Sequence, residues 1–166
     1  MANPNDPHAY RWRLHNPGRA LSKALHHFEE RVLALMSEAG HAQTRRSHVN
    51  LTRHLDLEGT RITELAKRAA MTNAAMSELI DQCTALGLVE RVPDPSDKRV
   101  RIVRFTAAGL RWLDAFGRAV AAAEAEMAQE IGEHRLAGLV ATWNAIRRQW
   151  SLARPESSAQ PPSRSG

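Results

Sequence analysis

Residues Arg61–Gly109 of this 166-residue chain read RITELAKRAAMTNAAMSELIDQCTALGLVERVPDPSDKRVRIVRFTAAG, and this stretch decides the fold. Its first half carries two stripes of apolar residues at i, i+3, i+4 and i+7, the spacing that lines one face of a helix. The stripes are Ile62, Leu65, Ala66 and Ala69, followed by Met76, Leu79, Ile80 and Cys83. They predict two short amphipathic helices that pack on a shared core.

Residues typical of helix ends and turns surround the two stripes. Thr63 and Thr72 are the expected N-caps of the two helices, where a hydroxyl can accept a hydrogen bond from an unpaired first-turn amide. Gly87 follows the second stripe and predicts a left-handed helix end. LVERV and VRIVRF, rich in β-branched residues, then flank the turn formers PDPSDK and predict a two-stranded hairpin. Two helices followed by such a hairpin form a winged helix-turn-helix.

The same residues resemble the MarR family of bacterial transcription regulators. The resemblance lies in ITELAKRA, TNAAMSELIDQ and GLVERVPDPSDKR, where Asp94, Asp97 and Arg99 have the spacing of the family's wing, and in FTAAG entering the next helix. It implies a mainly α dimer that binds pseudo-palindromic DNA and is usually released by a small molecule or an oxidant. It also implies a transcription regulator, a repressor rather than an activator.

Apolar stripes near both ends of the chain predict helices that bury a large surface. Such stripes need a partner surface. The resemblance, together with the symmetry common among small oligomers, implies that both ends form the interface of a homodimer, although a core within one chain is the alternative. An alanine-rich segment over 107–132 predicts a helix that connects the wing to this interface. The residues assigned to the interface are Leu21, Leu25, Phe28, Leu139, Trp143, Ile146 and Trp150.

The expected fold class is mainly α with a small two-stranded β wing. We expect an N-terminal arm over 1–18, a dimerisation helix over 19–40 and a DNA-binding lobe over 41–106. C-terminal helices over 107–153 complete the dimer interface. The last segment, 154–166, is rich in proline and serine without apolar periodicity, which predicts a disordered tail.

Composition agrees with a double-stranded DNA partner. A net charge of +5 and a pI of about 10.3 favour polyanions, because Lys and Arg that neutralise phosphates release condensed counterions. The first residues have no apolar leader and no stretch is apolar enough to span a bilayer, so we expect a cytoplasmic protein without a membrane partner. Cys83, the one cysteine, lies on an apolar stripe and is expected to be a buried structural thiol.

The second helix and the wing supply the expected DNA contacts. Resemblance to the family points to Arg99 as the side chain inserted into a minor groove, and narrow A·T-rich grooves attract arginine. Asp97 would orient Arg99 or tie down the turn, and Asp94 completes the wing structure. The expected DNA-binding residues are Thr72, Asn73, Ala74, Ser77, Glu78, Arg91, Lys98, Arg99 and Arg101.

Glu78 departs from the family pattern, in which a basic residue is common at this position. A carboxylate facing DNA repels phosphates, although it can accept a hydrogen bond from cytosine N4. Either Glu78 and Asp81 pair with arginines of the wing and leave readout to Asn73 and Ser77, or Glu78 reads a base. From the sequence the first alternative is favoured.

The family places its ligand pocket between the dimer helices and the DNA-binding lobe, which makes His27, His48, Leu51 and Trp112 the candidates to contact a small-molecule effector. Glu38 and His41 could supply two metal ligands, but no thiolate or close histidine pair supports a site, so we expect no metal or cofactor. The chain has no phosphate loop, HExxH motif or nucleophile elbow, and we expect no enzyme activity. The alternative function is a winged-helix interaction module or antirepressor that does not itself bind DNA.

Overall fold

The computed structural model describes residues 10–153, with side chains described to Trp150. The expected tail lies outside these residues, as do the first nine of the expected arm. The chain divides into two compact units between Ala123 and Glu124. Among the described residues, no helix is long and apolar enough to cross a bilayer. The elements are a short 3-10 helix (Arg11–Arg13), α1 (Pro17–Glu38), α2 (Arg46–His54), β1 (Thr60–Arg61), α3 (Ile62–Arg68), α4 (Asn73–Ala85), β2 (Val89–Pro93), β3 (Arg101–Phe105), α5 (Ala107–Ile131) and α6 (Glu133–Ala153).

The two predicted helices of the helix-turn-helix are α3 and α4, and their apolar stripes face one core. Leu65 of α3 and Met76, Ile80 and Cys83 of α4 are fully buried. They belong to a single cluster that also takes in residues of α1, α2, the strands and α5. Burying side chains of this size stabilises the fold by about 1.5–3 kcal/mol each relative to leaving them exposed. The prediction of two helices on a shared core is confirmed.

The ends of α4 follow the predicted chemistry. The Thr72 hydroxyl accepts a hydrogen bond from the Ala75 amide at 3.2 Å, so Thr72 is the N-cap. At the other end Gly87 has φ +69°, and the amides of Gly87 and Leu88 donate to the carbonyls of Thr84 and Cys83. This pair of bonds satisfies helix-end carbonyls, and the left-handed residue it requires costs glycine little.

Thr63 does not cap α3, and that prediction was wrong. The helix begins at Ile62 with Arg61 in the N-cap position and without a side-chain cap, so Thr63 already lies in the first turn. The reason is β1, which carries the backbone in extended form up to Arg61 and leads directly into the helix. A hydroxyl two residues later comes too late to cap it.

The predicted two-stranded wing is confirmed, and a short third strand that the sequence did not predict joins it in one sheet. β2 and β3 form the expected antiparallel hairpin, with Val89 opposite Phe105 and Pro93 opposite Arg101. The third strand, β1, pairs with the other edge of β3, with Thr60 opposite Val103. Two residues are too few to show the alternation that identifies a strand, and their partner lies far along the chain.

Hydrogen bonds and close packing connect the wing to the end of α4 and the start of α5. The Thr106 hydroxyl donates to the carbonyl of Gly87 and accepts from the amide of Gly109 at 2.9 Å, which caps the start of α5. Gly109 packs so closely that a Cβ added there would lie 1.8 Å from the Leu88 carbonyl oxygen. α5 then runs to Ile131, as the alanine-rich segment predicted. This junction fixes the wing relative to the helix-turn-helix.

Candidate nucleic-acid interface

The exposed face of α4 carries the residues expected to meet DNA. Asn73, Ala74 and Glu78 are exposed and Ser77 is partly buried, on the side opposite the buried stripe. Thr72, at the start of the helix, is exposed while its hydroxyl holds the first turn. α4 contains two carboxylates and no basic residue, so any positive charge on this face comes from other elements.

Arg91 of β2 supplies such a charge. Its Nη1 donates to the Asp81 carboxylate and its Nη2 donates to the Ser77 carbonyl at 3.2 Å. One guanidinium therefore neutralises a carboxylate of α4 and also fixes the wing base against the helix backbone. The sequence-based interpretation had both Glu78 and Asp81 paired with arginines, and only Asp81 has this partner. Within the described chain, Glu78 makes no ion pair or side-chain hydrogen bond.

The basic residues of the wing and of the adjoining strand β1 divide into two groups. Those nearer its base have carboxylate partners: Arg61 with Asp94, Arg91 with Asp81, and Arg104 with Glu90 across the strands at 2.8 Å. At the tip, Lys98, Arg99 and Arg101 are exposed, and none has an ion pair with any residue between Tyr10 and Trp150. Free basic side chains thus concentrate at the end of the hairpin.

Asp94 organises the backbone of that tip. Its Oδ1 accepts from the Ser96 amide at 2.9 Å and the Ser96 hydroxyl at 2.7 Å. Its Oδ2 accepts from both Nε and Nη2 of Arg61, at 3.0 and 2.7 Å. These hydrogen bonds, led by those from Ser96, lower the pKa of Asp94 to about 2. The buried carboxylate therefore remains charged and joins the tip to β1.

Asp97 acts on the turn backbone. Its Oδ1 accepts from the Arg99 amide at 3.0 Å, and the Val100 amide donates to its carbonyl at 2.9 Å. Of the two roles expected for Asp97, this geometry is that of tying down the turn. The guanidinium of Arg99 stays exposed at the end of a constrained loop.

A cavity of about 240 Å³ lies in the first unit among α1, α2 and α5. Its walls are mainly apolar, and one side carries Glu29, which pairs with Arg46 at 3.3 Å and with Arg53 at 3.4 Å. The apolar residues that line it are Leu25, Phe28, Val32, Leu33, Val49, Phe116 and Val120. An apolar chamber with two guanidinium groups at its wall suits an amphipathic anion.

The four residues expected to contact an effector lie in different surroundings. Two of them line a second cavity, of about 290 Å³, in the same unit. His48 and Trp112 line it, and the Trp112 indole donates to the Thr44 hydroxyl at 3.0 Å. Leu51 is fully buried in the core. His27 is an exposed residue of α1 beside Glu30, so the structure does not bring the four together.

The His48 side chain has a structural partner in this region. Its Nδ1 accepts from the Arg45 amide at 3.3 Å at the start of α2. Burial, followed by the positive charge of Arg45, lowers the pKa of His48. The ring is therefore neutral near pH 7, with its proton on Nε2.

Cys83 is fully buried, and burial raises the pKa of its thiol to about 11. Because the thiolate is the reactive form, this environment matches the structural role expected for it. Among the described residues, no group of three His, Cys, Asp or Glu side chains is placed to hold a metal ion.

The residues expected at a dimer interface are incompletely buried. Leu21 and Leu25 of α1 are 37% and 50% exposed, while Phe28 is partly buried. In the second unit, Leu139 and Trp150 of α6 are 45% and 71% exposed. Trp143 and Ile146 are partly buried there, and the Trp143 indole nitrogen is enclosed without a hydrogen-bond partner among the described residues. Both helices thus present apolar side chains to the outside.

Sequence reasoning missed two residues that shape this surface. Arg61 was not identified because its partner Asp94 lies 33 residues away, and no local pattern reports such a pair. Thr106 could have been found, since a threonine directly before a helical segment is a common N-cap. Both residues act by holding the wing.

Comparison with known proteins gives the same architecture. A model of the MarR family matches residues 49–100, which extend from α2 to the wing tip. No curated protein sequence matches the chain. Among solved structures, the apo form of MarR from E. coli aligns with a TM-score of 0.65 at 20% identity, covering 80% of this chain and 97% of that one.

Two structures of regulators named CouR also align, and the first of them is from Rhodococcus jostii RHA1. CouR bound to p-coumaroyl-CoA has a TM-score of 0.61 at 25% identity, over 78% of this chain and 90% of that one. The repressor CouR bound to a 23-mer DNA duplex has a TM-score of 0.64 at 20% identity, over 82% of this chain and 95% of that one. The fold is shared along most of the described chain.

Proposed function

We propose that this chain, which a MarR-family model matches over residues 49–100, is a member of that family and a sequence-specific DNA-binding transcription regulator that acts as a homodimer. α4 would enter the major groove, and the tip of the wing would reach the adjacent minor groove. As in the DNA-bound repressor CouR, which has the same fold, the expected outcome of binding is repression.

The observation that carries the proposal is the division of the wing's basic residues. Lys98, Arg99 and Arg101 are exposed without carboxylate partners among the described residues, whereas those nearer the base are paired within the chain. Surface guanidiniums that are already neutralised offer little to a polyanion. Free ones on a constrained turn release counterions on binding, and this release favours association with DNA.

The exposed apolar faces of α1 and α6 support the proposed homodimer. The exposed leucines of α1 and the exposed Leu139 and Trp150 of α6 form surfaces that a second copy could cover. Two-fold symmetry would present two copies of α4 to successive turns of one DNA face. The operator would then be pseudo-palindromic.

We place the effector in the cavity among α1, α2 and α5. Its apolar walls suit the apolar body of a ligand, and its two guanidinium groups share the single carboxylate of Glu29, which leaves one positive charge in excess for an anionic end. Such a ligand would compete with Glu29 for Arg46 and Arg53, and so alter the packing of α2 against α1. CouR, the relative of the same fold, is bound to p-coumaroyl-CoA in one structure.

The alternative is a winged-helix interaction module that does not bind DNA, and the free carboxylate of Glu78 is the observation in its favour. A titration of fluorescent random-sequence duplexes against salt separates the two functions. A regulator binds at low salt, and its log K falls linearly with log salt at about −0.9 per neutralised phosphate. A protein that binds no duplex at low salt would instead be the interaction module.

A further inference from the structure

Among the described residues Glu78 has no counter-charge, although it lies on the face of α4 that would meet DNA. Asp81, one turn further along, has Arg91 as its partner. The second Nη of Arg91 donates to the Ser77 carbonyl, so both Nη atoms of this guanidinium already have partners other than Glu78. In the part of the chain that the structure describes, Glu78 has no donor of its own.

An unpaired carboxylate in the major groove has a defined preference among bases. Guanine presents two acceptors there, N7 and O6, and thymine presents O4, so each of these edges repels a carboxylate. Adenine presents a donor beside an acceptor. Cytosine presents only the N4 amino donor, so it is the base that compensates a carboxylate best.

From this free carboxylate we propose that Glu78 is a specificity-determining residue, which selects cytosine at one position of each operator half-site and disfavours guanine there. The inference rests on the proposed DNA-binding function. It reverses the alternative that the sequence favoured, because that alternative required wing arginines to hold both carboxylates. Glu78 thereby contributes less to total affinity than to the difference between right and wrong sites.

The test compares Glu78→Gln with the wild-type chain on DNA. Duplexes are enriched on the wild-type protein from a random pool, and the affinity is then measured with each of the four base pairs at every half-site position. A matched control is Glu124→Gln, which removes the same charge from an exposed position in the middle of α5. Circular dichroism checks that each variant keeps its helix content.

The expected result is a position at which the wild-type chain and Glu124→Gln prefer cytosine over guanine by about tenfold or more. Glu78→Gln should lose most of that preference, because its amide offers both a donor and an acceptor. Stronger binding of Glu78→Gln to every duplex alike would overturn the proposal and leave Glu78 as a repulsive charge only. Wild-type binding with no cytosine position would also overturn it while leaving DNA binding intact. Failure of all three proteins to bind any duplex at low salt would instead remove the proposed function itself.

Discussion

The Arg91 guanidinium bridges the Asp81 carboxylate and the Ser77 carbonyl, and so joins the base of the wing to α4. This bridge changes the role expected for Arg91. The sequence indicated a DNA contact, whereas the geometry gives the side chain two partners within the protein. We infer that Arg91 is a positioning residue that neutralises Asp81 and sets the angle between the wing and α4.

A double-mutant cycle tests the role of Arg91. Arg91→Ala should weaken operator binding about tenfold, because it leaves Asp81 charged at the DNA surface and frees the wing base. In an Asp81→Asn background the same change should cost much less, since no carboxylate remains to be neutralised. Arg104→Ala serves as a control, because its partner is Glu90 on the neighbouring strand. An equal loss from Arg91→Ala in both backgrounds would show that Arg91 does not act through Asp81.

Arg99 should behave differently, because its guanidinium is exposed at the tip and has no carboxylate partner between Tyr10 and Trp150. Arg99→Ala is expected to weaken operator binding several-fold and to reduce the preference for A·T-rich flanks without changing thermal stability. Fluorescence anisotropy on duplexes with A·T-rich or G·C-rich flanks at matched salt measures both effects. Arg147→Ala, an exposed arginine of α6, is the control. If Arg99→Ala leaves affinity and flank preference unchanged, Arg99 does not enter a minor groove.

Exposed apolar residues of α6 predict where the dimer forms. Replacing Leu139 and Trp150 together by alanine should yield monomers at concentrations where the wild-type chain is dimeric, because it removes apolar area that association would bury. Light scattering with size separation measures the mass. Leu57→Ala removes a residue that is 62% exposed in the DNA-binding lobe and should leave the mass unchanged. A double mutant that remains a stable dimer would place the interface elsewhere.

Acid should destabilise the wing through Asp94. Because its pKa is lowered to about 2 in the folded protein from an ordinary 3.8, the charged carboxylate stabilises the fold above pH 3.8. This contribution is lost as the pH falls from about 4 to about 2. Denaturant titrations should find Asp94→Asn less stable than wild type at pH 7, with the difference shrinking toward pH 2. Asp114→Asn, an exposed carboxylate of α5, is the control, and a constant difference for Asp94→Asn would contradict the assignment.

Local signals predicted the helix-turn-helix and the hairpin because each depends on neighbours in sequence. Helical spacing located the buried stripe of α4, and Thr72 and Gly87 identified its two ends. No sequence signal predicted the backbone conformation of the turn between α3 and α4. Ala70 has φ +52° there, a left-handed conformation that sequence patterns associate with glycine.

Long-range pairing is what the sequence could not show. β1 is defined only by its bonds to β3, and Asp94 gains its partner Arg61 only when those strands align. The same holds for the surface of α4. The sequence does not distinguish Glu78 from Asp81. The position of Arg91 shows that Asp81 is neutralised, while Glu78 has no such partner among the described residues.

Selection of duplexes from a random DNA pool by the full chain tests the central claim most directly. A homodimer that presents two copies of α4 predicts an enriched inverted repeat, with half-sites about one helical turn apart, roughly 10 base pairs between centres. Enrichment should disappear at high salt, where the free basic residues of the wing tip lose their advantage. A pool that stays unenriched at low salt, or that yields one half-site without a repeat, would contradict the account.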